Sequence, residues 1–177
     1  DRDGDCDIYV MDAEGGNVQQ LTVNAGPWDG HPAWSPDGSQ IVWARDVRAI
    51  AVMKADGSEA YDVIPWGSLG DVYHPRFSPD GAWIYFISDS GHYAIFDVWK
   101  VRLDGTDVSQ VCPTGEHHDP FDLCPTDPNL MCVSIDPEGR SNLDVNHDLY
   151  LLDVGTCTYT DITGTAGPRQ ENHPSYS

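Results

Sequence analysis

The chain has 177 residues, with 29 acidic side chains against 9 basic ones and a formal net charge of −20. That length supports one domain with an adequate core, and six tryptophans and eight tyrosines argue against intrinsic disorder. A field of this sign repels phosphate backbones and anionic lipid, so nucleic-acid and membrane-surface roles are disfavoured and cations are attracted.

No apolar run is long enough to span a bilayer. The first residue is Asp1 rather than Met and no leader is recognisable, so a mature or excised segment is expected. Taken in order, Asp1 to Asp7 form a turn-rich opening, and Ile8–Met11 and Val18–Thr22 are expected strands around the turn Glu14-Gly15-Gly16. A strand follows from about Pro32 to Ser35, then Ile41–Ala44, Ile50–Met53 and, past Asp56-Gly57, Tyr61–Ile64. The cycle restarts at His74 and gives Trp83–Ile87, Val98–Val101 and Val108–Val111; a third pass gives Leu130–Val133, Leu149–Leu152 and Tyr159–Ile162. These runs are short, rich in Val, Ile, Trp and Tyr, and bounded by Gly, Pro and Asp, which is strand chemistry. No stretch sustains a helical period, so the chain reads as all-β.

One motif organises the rest. His31-Pro32-Ala33-Trp34-Ser35-Pro36-Asp37-Gly38 returns as His74-Pro75-Arg76-Phe77-Ser78-Pro79-Asp80-Gly81, in degraded form as Asp119-Pro120-Phe121-Asp122, and cut short as His173-Pro174-Ser175-Tyr176-Ser177. In the first two copies Pro, Asp and Gly build the closing turn. A unit recurring at about 43 to 54 residues with four short strands is the grammar of a propeller blade. These residues, with Asp7-Ile8-Tyr9-Val10-Met11-Asp12-Ala13 and Gly16-Asn17-Val18-Gln19-Gln20-Leu21-Thr22, resemble the TolB-type WD40-like (PD40) β-propeller repeat. The third copy departs from it, since Cys124-Pro125-Thr126-Asp127-Pro128-Asn129 replaces the Ser-Pro-Asp-Gly turn, a variant similar to one in oligogalacturonate-lyase-type propellers.

The resemblance implies that each motif strand is the innermost of its blade. Blades are then expected at 31–64, 74–111 and 119–162, with a fourth shared between 173–177 and 7–22, giving one four-bladed module over 1–177. One strand of the fourth blade has no counterpart in the sequence. The chain is accordingly expected to be a window of a tandem array, to borrow a strand from a neighbouring copy, or to lack that strand; an open sheet edge favours end-to-end self-association.

On this arrangement the residues ahead of each inner strand converge on one rim of the channel: Asp29 and His31, Asp71 and His74, Glu116, His117, His118 and Asp119, Glu171 and His173. Carboxylates so close together repel unless neutralised, and a mixed His/carboxylate ring holds a divalent metal. Calcium or a lanthanide suits a carboxylate-dominated ring. The lyase-type resemblance likewise implies a divalent metal on channel-facing histidines. The competing reading is that His and Asp before Pro only fix the lead-in to each strand. Asp1, Asp3, Asp5 and Asp7, and Asp144, Asn146 and Asp148, alternate as in calcium loops but lack the distal Glu and flanking helices of an EF-hand.

The five cysteines lack zinc-cage spacing. They point to disulfides in an oxidising compartment, extracellular or alternatively periplasmic, with Cys124–Cys132 expected across one hairpin; buried apolar thiols are the alternative. Trp34, Trp43, Trp83 and Trp99 are expected in blade-to-blade packing, and Trp28 and Trp66 in loops where a partner could touch them. No nucleophile elbow, catalytic-cysteine signature or phosphate loop occurs. The reading is therefore a secreted, non-enzymatic propeller that binds cations in its channel and assembles end to end. The rivals are a metal-dependent polysaccharide lyase fragment, for which only Arg76 and Arg169 lie near the rim, and a peptide-docking adaptor.

Overall fold

The computed structural model describes residues 5–23, 28–90, 96–113, 117–136 and 148–163. Within them every regular element is a strand, and three four-stranded antiparallel meanders account for most of the chain. The first is β3 (Asp29–Trp34), β4 (Gln40–Arg45), β5 (Ala49–Lys54) and β6 (Tyr61–Ile64). β7 (Val72–Phe77), β8 (Trp83–Ser88), β9 (Asp97–Arg102) and β10 (Ser109–Gln110) form the second. The third is β11 (His117–Leu123), β12 (Leu130–Asp136), β13 (Asp148–Asp153) and β14 (Thr158–Asp161). A separate antiparallel pair joins β1 (Tyr9–Val10) to β2 (Gln19–Gln20).

This is blade architecture. The edge strands β3, β7 and β11 lie beside one another, as the inner strands of successive blades do. The C-terminal motif at His173, which was expected to share a blade with β1 and β2, lies outside the described residues.

The core sits between sheets, because the central strands are apolar on both faces. Val42, Ala44, Ile50 and Val52 of the first blade meet Phe77, Ile84, Phe86 and Val101 of the second. Tyr85, Ile87 and Val98 on the other face of the second blade meet Met131, Val133, Ile135 and Leu152 of the third. Ile41, Trp43, Ala51 and Met53 turn the other way and cover Ile8, with Leu21 packed against them. Each fully buried aliphatic or aromatic side chain contributes about 1.5–3 kcal/mol. Phe86 and Trp43 are among the largest of them.

The motif turns are locked by their own side chains. Ser35 Oγ donates to Asp37 Oδ1 at 2.6 Å and accepts from Gln40 N at 2.9 Å, while Ser39 N donates to Asp37 Oδ1 at 3.0 Å. Ser78 and Asp80 repeat the pattern with Trp83 N and Ala82 N. Gly38 and Gly81 take φ of 70°, the left-handed conformation the turn demands. In the third blade Cys124 replaces the serine and Asp127 Oδ1 accepts from Asn129 N instead.

The cysteines differ from expectation. The bridge is Cys112–Cys157, spanning 45 residues, and Cys124 and Cys132 are free, buried thiols. Strand register explains this: Cys132 stands opposite Asp122, whereas Cys124 N bonds Leu130 O, two residues away. The observed disulfide ties the end of the second blade to the β13–β14 turn of the third, and Tyr159 Oη donates to Cys112 O at 2.9 Å across the same seam. Trp34, expected to be packed, is 51% exposed.

Candidate functional site

The His-Pro dipeptide lies within the inner strand rather than ahead of it. In β3 the pairs Gly30↔Ala44 and Ala33↔Val42 leave one extra residue on the inner strand, a β-bulge containing His31 and Pro32. Tyr73↔Ile87 and Arg76↔Tyr85 enclose the same bulge at His74 and Pro75. His31 has φ of 53° and His74 of 50°, a region uncommon for non-glycine residues. Proline removes a donor that the bulge would leave unpaired. Backbone of this kind costs on the order of 1–3 kcal/mol and concentrates at functional sites, and a bulge re-aims its side chain.

The consequence is a contact between blades. The imidazoles of His31 and His74 face each other with centroids 3.8 Å apart and planes tilted by 33°. Trp28 meets His31 edge-on at 5.1 Å, Tyr73 meets it at 6.0 Å, and Phe96 lies 5.6 Å from Tyr73. A continuous arc of rings thus crosses the seam between the first two blades. His31 Nδ1 is buried and has no hydrogen-bond partner among the described residues. Burial holds the His31 imidazole below its ordinary pKa, and the Arg76 guanidinium pushes it the same way. Arg76 itself is lowered by burial, while Asp122 opposes that shift. The imidazole is therefore kept neutral, the form that can ligate a metal.

The two described carboxylates of the expected rim already have work in the fold. Asp29 is buried and accepts from Trp43 Nε1 at 2.8 Å; burial raises its carboxyl, against hydrogen bonds from Trp43 and Thr22. Asp71 pairs with Arg48 at 3.0 Å, joining the second blade to the β4–β5 turn of the first. Asp7 of the alternating N-terminal acids accepts from Gln20 Nε2 at 2.8 Å and Thr22 Oγ1 at 3.1 Å. The structure thus brings His31 and His74 together and commits Asp29 and Asp71 to neighbouring side chains.

In the third blade the pairs His118↔Ile135 and Phe121↔Val133 enclose the same bulge at Asp119 and Pro120. In backbone register the place of His74 therefore falls on Asp119 and that of Tyr73 on His118. His117, His118 and Asp119 belong to β11, but their side chains lie outside the description, as do Glu116, Glu171 and His173 altogether. Among the described residues no group of three or more His, Cys, Asp or Glu is placed to hold a metal ion. Tyr73 and Phe96 escaped the sequence reading because neither recurs from blade to blade.

Three four-stranded meanders whose inner strands lie side by side set the comparison with known proteins. The PD40 family, described as the TolB beta propeller domain, matches residues 1–144. The chain belongs to this family. An uncharacterized protein of Agrobacterium fabrum is 29% identical over 98% of this chain, which spans 59% of that relative's length. Among solved structures, a TolB-type protein of Agrobacterium tumefaciens superposes with a TM-score of 0.75 at 23% identity, covering 90% of this chain and 57% of its own. TolB from Acinetobacter baumannii gives 0.71 at 20% identity, over 93% and 39% of the two chains. An oligogalacturonate lyase in complex with manganese gives 0.63 at 17% identity, over 86% and 40%. These likenesses establish the PD40 propeller fold, which TolB proteins share with enzymes.

Proposed function

We propose that this PD40 module is a non-catalytic binding propeller of an oxidising compartment, outside the cell or in the periplasm, that takes a divalent cation in its axial channel. The observation that carries the reading is the facing pair His31 and His74: two imidazoles held on adjacent blades by left-handed bulges, one with a buried, unpartnered Nδ1. Two imidazoles begin a transition-metal shell. Glu116, His118, Asp119, Glu171 and His173 are the candidates to complete it, and calcium or a lanthanide would be favoured if carboxylates supply most of the remainder. The Cys112–Cys157 bridge supports the compartment. A propeller of the same fold solved with manganese makes that ion the first to try.

The test is calorimetric titration of chelator-treated protein with Mn²⁺, beside His31→Ala and His74→Ala. One saturable site, weakened at least about tenfold by either substitution, is expected. No uptake by the unmodified protein would defeat the reading, and cleavage of oligogalacturonate in the presence of Mn²⁺ would replace it with the lyase alternative.

We also propose that copies of the module associate end to end, and this has its own support. Phe77, counted from the turn, occupies the place of Trp34, and it is 7% exposed against the first blade while Trp34 is 51% exposed. Trp34 thus presents the apolar face that another blade covers elsewhere in the fold.

A further inference from the structure

The motif turns follow the inner strands, beginning four residues on from His31 and His74. Between the first two of them runs a groove of about 420 Å³, lined by Pro36, Phe77 and Pro79 with Asp37 and Asp80 on the facing turns. The same three apolar residues continue into a hollow of about 240 Å³ at Arg76 and Asp122. Outward, Gln40 joins the groove to a third hollow of about 410 Å³ at Lys54 and Asp56. Three adjoining hollows in a row suit an extended chain better than a compact small molecule.

Charge selects the occupant. Lys54 is ion-paired with Glu59, and Arg76 feels the opposing carboxylate of Asp122, so both cations at the ends are offset. Among the described residues no lysine or arginine pairs with Asp37 or Asp80. Both carboxylates are held ionised by hydrogen bonds from their own turns. The middle of the groove is therefore an apolar floor between two uncompensated negative charges.

We propose that this groove docks an extended basic segment of a partner protein, its aliphatic or proline side chains on Pro36, Phe77 and Pro79 and its lysines or arginines on Asp37 and Asp80. The groove between the turns contains none of the proposed metal ligands, and Arg76 of the adjoining hollow is the residue that also acts on His31. Backbone partners are not needed; apolar contact gives affinity and the two carboxylates give selectivity for cationic sequences.

The probe is a short, end-blocked synthetic peptide of alternating arginine and leucine, with a glutamate-for-arginine counterpart as control. Titrated into the isotope-labelled, unmodified protein, the basic peptide should shift the amide resonances of Gln40 and Gly81, and the acidic one should not. Affinity should fall as salt is added, and Asp37→Asn with Asp80→Asn should weaken it about tenfold, two exposed ion pairs being lost. Asparagine keeps an acceptor for the turn hydrogen bonds, and the resonance map of the unmodified protein stands should that variant fail to fold. Shifts elsewhere, equal response to both peptides, or full affinity in the folded double variant would overturn the proposal.

Discussion

Single carboxylates show how differently one residue type can be used in this chain. Asp37 is fully exposed, yet hydrogen bonds from Ser35 and Ser39 bring its pKa from 3.8 to about 2. A depressed folded-state pKa means stability that is complete above 3.8 and lost as pH falls toward 2. Asp56, Asp80 and Asp104 are lowered by the same kind of turn bonding. Urea melts taken through that acid range should lose stability steeply, and Asp37→Asn should flatten the slope; an unchanged slope would remove the turns from the account. Asp29 has the opposite sign, because burial raises its carboxyl and its ionised form costs stability that returns as the pH drops toward the raised value. Asp29→Asn keeps an acceptor for Trp43 Nε1 and should be neutral or stabilising. Asp29→Ala strands that buried donor and should cost about 1–3 kcal/mol in chemical denaturation.

At the scale of strands and turns, much was legible because period and punctuation are local. Ile41–Ala44, Ile50–Met53 and Trp83–Ile87 were readable from apolar runs between Gly, Pro and Asp, and each lies within an observed strand. The bulge at His31 and His74 was not, because a residue before proline reads equally well as the lead-in to a strand, and only cross-strand register distinguishes the two. Register also decided the cysteines: Cys124 lies across from Leu130 and Cys132 from Asp122, so the two thiols do not face each other. Convergence of Asp29 and Asp71 with the histidines was argued from spacing alone, which could not reveal Trp43 or Arg48 as their partners. The disulfide that does form closes 45 residues, and in the chain-entropy account a loop of that size is worth about 4 kcal/mol. Cys112→Ser with Cys157→Ser, or reduction of the native protein, should therefore lower the melting temperature by several degrees. Tyr159→Phe, which loses only the hydroxyl bond to Cys112 O, should cost about 1 kcal/mol.

For the whole molecule the governing facts are a net charge of −20 and one blade face whose aromatic side chain is uncovered. Copies of such a chain repel at long range, while Trp34, with its exposed indole, offers short-range apolar gain. The two effects respond oppositely to salt: repulsion between exposed charges is screened within about 10 Å at 0.1 M, whereas apolar burial is not weakened by it. Association through this face should therefore strengthen as sodium chloride is added, the reverse of an assembly held by ion pairs. Sedimentation equilibrium at rising salt should show mass increasing for the native chain, and Trp34→Ser should stay monomeric throughout with its melting temperature nearly unchanged, since the indole supports little of the intramolecular core. Association that weakens with salt would place the contact on charged groups, and undiminished association of Trp34→Ser would move it to another face of the propeller.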